Sequence, residues 1–407
     1  MEGIHRILVV SRLTRYCRKA VRFGVSLAQQ YGAELAVLHV VENPFNKGWN
    51  LPTIHYEDQY KKEMVHSFTL RTLTAGLCLA AAFPAHAGPE VLRVHHFLPT
   101  GSTAHAKFIT PWCAKIEAES AGGLKCQIFP SMQLGGSPAQ LIDQARDGVA
   151  DIVWTLPGYS AGRFPIVEVF ELPFMITTAE ATSRAVWDFV QQHDRKEFEA
   201  VHPIAFHVHG PGHFFMVKKP VHGLEDIKGA KLRAPTRLTN LMLASLGASP
   251  VGMPVPQVPE ALSKGVIDGA ILPYEVVPAI KGHELTKYAS EGDPGFAGIY
   301  TTVFVFAMNK SRYDGLPENL RKVIDANSGA ETSAWIGKVY DEADGPARKK
   351  LADNGNAINT LPAAELEKWK VASGSVAEQW VKDVSAKGAD GARLLEAARG
   401  LIATHSR

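Results

Sequence analysis

From about residue 91 onward the chain alternates between two patterns of apolar positions. Short runs of closely spaced apolar residues give way to stretches in which they recur at three- and four-residue steps. The first pattern is that of strands and the second that of amphipathic helices. Strands are predicted at 91–97, 124–129 and 150–155, and helices at 103–120 and 137–147. Pro99 and Gly101 break the first strand, Ser102 stands at an N-cap position, and Gly122-Gly123 and Gly148 stop the helices. A further helix is expected at 179–192, after the segment 170–174. Strands that alternate with helices predict an α/β fold with parallel sheets, whose ligand loops lie at the carboxyl ends of the strands.

The stretch 228–275 is the most informative. Lys231-Leu232-Arg233-Ala234 reads as a short strand stopped by Pro235. Leu238, Leu241, Met242 and Leu246 fall at helical spacing and Gly247 follows them, so 237–246 reads as a helix. Pro254 and Pro256 keep the next segment a loop, and Pro259 suits the first turn of a helix over 260–264. Gly265 ends that helix and 266–272 is a strand, so the unit is strand, helix, strand. Beyond a glycine-rich loop at 292–298, the β-branched and aromatic run 301–308 is a strand assigned to the lobe of the first three. A long helix is predicted from Leu316-Pro317-Glu318 past Trp335 towards Ala352, kinked at Gly345-Pro346, with a helical tail over 365–405.

The front of the chain is of another kind. Residues 6–10 read as a buried strand, 15–31 as a helix ended by Gly32, and 34–41 as a second strand. At Met64 the pattern changes again: His66 and Arg71 precede an apolar run, 73–83, and Ala85-His86-Ala87 is a small-x-small site before Gly88. That order of regions is a secretory signal, and the run is shorter than the ~20 residues of a spanning helix. Met64 is therefore expected to be the true start, with cleavage after Ala87 and a periplasmic mature protein.

Composition narrows the function. The 407 residues suggest more than one domain, and 46% hydrophobic content suffices for packed cores. A formal net charge of +2 gives no reason to expect nucleic acid as a partner. Cys17, Cys78, Cys113 and Cys126 contain no C-x-x-C pair. Only Cys113 and Cys126 lie beyond the cleavage site, where an oxidising compartment permits a disulfide whose geometry the sequence leaves open. No H-E-x-x-H, phosphate-binding loop or dinucleotide fingerprint is present. Glu168 and Glu171 read as solvated loop acids.

Two chemical candidates remain. Arg233 ends a strand of the parallel unit, where open α/β sheets bind ligands, and its planar fork matches a carboxylate at two points. A surface arginine paired with Asp226 or Glu225 is the other reading. His207, His209 and His213 could hold zinc or copper, but no carboxylate or cysteine completes the set, and a polar ligand-facing loop is preferred to a metal site.

The run Leu224-Glu225-Asp226-Ile227-Lys228-Gly229-Ala230-Lys231-Leu232-Arg233-Ala234-Pro235 resembles a segment of the TRAP-transporter periplasmic solute-binding proteins, the dicarboxylate-receptor family. Gln133-Leu134-Gly135-Gly136, Leu172-Pro173-Phe174 and Gly265-Val266-Ile267-Asp268-Gly269 match further motifs of that family in the same order, over about residues 91–390. The resemblance implies a two-lobed periplasmic-binding-protein fold with a long lobe-spanning helix. The expected lobes are 88–210 with 300–335, and 211–299 with 336–407, hinged near 209–211 and near Tyr300. It implies a receptor and not an enzyme, without cofactor or metal, acting as a monomer that delivers a small organic acid to TRAP membrane permease subunits. Arg233 would clamp the ligand carboxylate, and the pocket candidates are Phe97, His95, Thr155, Tyr159, Phe174, Tyr274 and Glu275.

Two departures from the family pattern bear on the ligand. A second arginine of the family falls at Gly212, leaving His209 as a substitute donor, and Ala270, Ile271 and Leu272 replace the polar residues before Pro273. The pocket is therefore expected to take a monocarboxylate with an aromatic or branched apolar body, such as an aryl 2-oxo or 2-hydroxy acid. Separately, Ala28 to Glu42 resembles the universal stress proteins over only the first third of that fold. Ser11 replaces an acidic residue and the phosphate loop is missing, so no nucleotide binding is expected from 1–60. The alternative is a cytoplasmic ligand sensor fused to a stress-protein-like head.

Overall fold

The computed structural model describes residues 88–406 in full, together with two strands at 6–12 and 34–40. Those strands, β1 (Arg6–Arg12) and β2 (Glu34–Val40), pair in parallel from Arg6–Glu34 to Arg12–Val40. They belong to a unit separate from the main body. The helix expected at 15–31 and the signal at 64–87 lie outside the described residues.

The main body is two-lobed and mixed α/β. Its first sheet runs β4 (Leu124–Phe129), β3 (Glu90–His96), β5 (Ile152–Thr155), β12 (Val303–Asn309), β6 (Val201–Val208). β3 is parallel to β4 and β5, whereas β12 is antiparallel to β5 and β6. The second sheet runs β13 (Ala357–Leu361), β11 (Tyr288–Gly292), β7 (His213–Met216), β10 (Gly269–Leu272), β8 (Lys231–Ala234), β9 (Ser249–Gly252). The expected parallel unit is present, with β8 lying between β9 and β10 and parallel to both. β5, β10 and β12 are buried at every position, which is why they read as apolar runs and not as alternations.

The α-helices of six or more residues are α1 (Thr110–Glu119), α2 (Leu141–Arg146), α3 (Ala179–Phe189), α4 (Arg237–Ser245), α5 (Val258–Ser263), α6 (Glu318–Ala326), α7 (Ala330–Asp353), α8 (Ala363–Ala372), α9 (Gly374–Ala386) and α10 (Gly391–His405). A disulfide joins Cys113 on α1 to Cys126 on β4.

The expected long helix is divided. It breaks at Asn327–Gly329, where Gly329 takes φ +99°, so the spanning element is α7 alone. α7 packs on α3 beside the first sheet and on the turn after β10 in the second. Gly337 permits the first contact, because a Cβ there would come within 2.3 Å of the Ala179 carbonyl oxygen. The terminal helix α10, expected with the second lobe, packs instead along α3, where His405 bonds to Asp188 at 2.8 Å. Among the described residues no helix is long and apolar enough to cross a membrane.

Candidate ligand-binding site

The strand order places Arg233 between two neighbours that hold its fork. Nε donates to the Met253 carbonyl just past β9 at 2.9 Å, and Nη1 to the Ile271 carbonyl on β10 at 3.1 Å. The side chain is 1% exposed, and Nη2 has no hydrogen-bond partner. No carboxylate among the described residues pairs with it, so the expected alternative partners Asp226 and Glu225 are excluded. Burial opposes its charge, and the nearby Tyr159 and Tyr300 hydroxyls favour it. A cation held in low dielectric with an empty donor is costly unless an anion completes it.

Arg233 lines a tight cavity of about 30 Å³. One wall is an aromatic stack: Phe97 on Trp154 at 4.9 Å, and Trp154 on Phe304 at 4.9 Å. Tyr159 meets Phe97 edge-on at 5.6 Å. Leu272 and Val255 add aliphatic surface, and Tyr300, Thr302, His209 and Glu275 add polar groups. The Tyr300 hydroxyl and Thr302 Oγ1 are buried without partners, as is Glu275 Oε2. Tyr159 Oη accepts from the Val255 amide at 3.1 Å, leaving its own proton to donate.

His209 Nδ1 donates to the Gly210 carbonyl at 2.5 Å, and burial pushes the ring down to about 3. The ring is thus neutral with Nε2 bare, an acceptor and not the cationic donor that the sequence allows. His207 is likewise neutral, pushed by burial to about 3, and its Nε2 accepts from Trp154 Nε1 at 2.8 Å, fixing the aromatic wall. Among the described residues no group of histidine, cysteine or acidic side chains is arranged to hold a metal ion.

Of the residues read from the sequence, Arg233, His209, Phe97, Tyr159 and Glu275 line this cavity. Four others do not. His95 is buried beneath the sheet, bonded to Gln144 at 2.7 Å and to the Leu134 amide. Thr155 donates to the Pro138 carbonyl. Phe174 takes φ +59° and packs on Phe296 in a separate depression, and Tyr274 donates to Glu291 at 2.8 Å. Glu168 and Glu171 are not solvated: both are 2% exposed. Glu168 pairs with Arg237, and Glu171 Oε1 accepts from the Val303 amide while burial and Glu168 push it up to about 8.

Tyr300, Thr302 and Phe304 are contributors that the sequence reading missed. Their signal is the alternation Tyr300-x-Thr302-x-Phe304 leading into β12, which puts all three on one face. Tyr300 also explains the glycine at 212. A Cβ there would come within 1.9 Å of the Tyr300 ring, so the tyrosine leaves no room for a side chain at 212.

One hydrolase-like spacing is present, Gly158-Tyr159-Ser160-Ala161-Gly162. A nucleophile elbow needs a strand-to-helix turn with a free serine. Here Ser160 caps a single 3₁₀ turn and its Oγ donates to the Ala139 carbonyl at 3.1 Å.

The profile of the family described as bacterial extracellular solute-binding protein, family 7, matches residues 94–383. The chain belongs to this family. A second profile, of the universal stress protein family, matches residues 3–104. Among solved structures, a TRAP solute-binding protein from Rhodoferax ferrireducens with copurified benzoate is 50% identical, with TM-score 0.77, covering 78% of this chain and 98% of that one. A marine metagenome TRAP protein specific for aromatic acid ligands, crystallised with 3-hydroxybenzoate, is 44% identical, with TM-score 0.77, covering 79% and 100%. A Bordetella bronchiseptica TRAP protein with bound (R)- and (S)-mandelate is 28% identical, with TM-score 0.72, covering 78% and 99%.

Proposed function

We propose that the protein is an extracytoplasmic receptor that binds an aromatic monocarboxylate and hands it to the membrane subunits of a TRAP-type permease. The observation that carries this reading is the buried, unpartnered Nη2 of Arg233 in a cavity walled by Phe97, Trp154 and Phe304. The carboxylate would take that donor with the hydroxyls of Tyr159, Tyr300 and Thr302, and the ring would lie against the stack. The benzoate, 3-hydroxybenzoate and mandelate complexes of the similar proteins support the ligand class. Binding would draw the segments 88–210 and 300–335 towards 211–299 and the part of α7 that packs on it, with hinges near 209–211 and Tyr300.

A thermal-shift panel of benzoate, 3-hydroxybenzoate, mandelate, succinate and a sialic acid tests the class; greatest stabilisation by either of the last two would refute it. Arg233→Lys should weaken the best ligand about 10- to 100-fold, since a point charge loses the forked geometry. Export with cleavage after Ala87 belongs to the same reading. N-terminal sequencing of the native protein should begin at Gly88, whereas a protein beginning at Met1 in the cytoplasm would favour the fused sensor.

A further inference from the structure

Glu275 stands in the same cavity as Arg233 yet does not neutralise it. Both Arg233 Nη2 and Glu275 Oε2 are buried without partners, so the two groups do not meet each other. Glu275 follows β10 in the turn Tyr274–Val276, and its amide donates to Asp344 Oδ1 on α7 at 2.9 Å, which fixes where the side chain starts. It is 7% exposed. Asp344 opposes its charge, while hydrogen bonding from the Thr103 side chain and the charge of Lys107 favour it, a different set from the Tyr159 and Tyr300 hydroxyls around the guanidinium. The cavity thus carries two polar groups that do not pair with each other, among a largely apolar and aromatic lining.

A benzoate-like anion satisfies only Arg233. It would leave Glu275 Oε2 buried and unbonded after closure, at the cost of an unmade hydrogen bond. Resting on the aromatic-carboxylate reading above, we propose that Glu275 is a specificity-determining residue that receives a hydroxyl carried on the ligand's ring, away from the carboxylate that Arg233 holds. A second carboxylate is disfavoured at this end, because it would meet two buried acids, Glu275 and Asp344, and no buried cation to offset its desolvation. A hydroxyl suits a buried carboxyl in either protonation state, since it can both donate and accept. Burial pushes Glu275 up to about 8, which adds a donor at neutral pH and agrees with this pairing. A site built to bond a ligand hydroxyl discriminates strongly against the analogue that lacks it.

The test is calorimetric titration of the whole protein with benzoate, 3-hydroxybenzoate and 4-hydroxybenzoate, for the wild type, Glu275→Leu and Glu275→Gln. In the wild type one hydroxybenzoate should bind about tenfold or more tighter than benzoate. In Glu275→Leu that ratio should collapse towards one. Glu275→Gln keeps the size and an acceptor, and should show an intermediate ratio even if the leucine variant fails to fold. Binding of benzoate as tightly as of both hydroxybenzoates by the wild type, or an undiminished ratio in the glutamine variant, would overturn the role of Glu275 and leave the aromatic-acid receptor standing. Failure of all three ligands to bind the wild type would overturn both.

Discussion

Arg233 and Arg237 lie one helical turn apart in sequence and have opposite fates. Arg237, at the start of α4, is partly exposed and saturated: Nη2 reaches Glu168 at 2.6 Å and Nη1 reaches Asp383 on α9 at 2.7 Å. Arg233 is almost wholly buried, holds two backbone carbonyls and keeps one donor empty. The first arginine ties three parts of the main body together, and the second is left incomplete by the protein. Charge complemented by the fold belongs to the structure, whereas charge held without complement marks the site, because its desolvation is repaid only when a ligand arrives.

The largest expected effect tests the second half of that contrast. Arg233→Ala should lower affinity for an aromatic acid by about a thousandfold, the worth of two charge-assisted hydrogen bonds. The ligand-free protein should melt no lower than wild type, since an uncompensated buried charge is removed. Loss of stability in calorimetry without loss of binding would reverse the assignment. Arg237→Ala tests the first half. It strands Glu168 at 2% exposure and should destabilise the fold by about 3 kcal/mol in denaturant titration, with affinity changed less than tenfold. The double variant with Glu168→Gln should recover part of that stability.

Tyr300→Phe sharpens the contrast at a neutral group. The hydroxyl makes no bond in the structure, so its removal should leave melting unchanged or slightly raised, while affinity falls about fivefold. The smallest effect concerns pH. Burial and Asp344 push Glu275 from the ordinary 4.5 up to about 8, so the folded protein keeps a proton that the unfolded chain releases. Its contribution to stability is complete below about 4.5 and is lost as pH rises through about 8. Between those limits Tm of the wild type should fall relative to Glu275→Gln. A constant difference between the two proteins would remove Glu275 from the set of strained, unpaired groups.

Two of the four residues that miss the cavity stand next in sequence to one that lines it. Thr155 was expected in the pocket and its neighbour Trp154 is there; Tyr274 was expected alongside Glu275, and only Glu275 lines the cavity. Adjacent positions of an extended chain face opposite ways, so an apolar run buried on both sides gives no hint of which residue looks into the cleft. Phe174 failed for another reason: its left-handed backbone turns the ring outward to Phe296. Tyr300, Thr302 and Phe304 escaped because β12 enters the first sheet antiparallel, long after the strands it joins.

What the sequence determined by itself was local: the strand–helix–strand unit that presents Arg233, the strand at 301–308, and an aromatic surplus at the strand ends. Periodicity, glycines and prolines act over a few residues, and these features need nothing further. The tertiary structure alone decided which charges would be answered. Whether Arg233 meets a carboxylate, whether Glu168 is wet or sealed, and whether Glu275 reaches the arginine depend on strands brought together from distant parts of the chain. Pairing in a low-dielectric interior is a property of distances, and no residue carries its distances in its name.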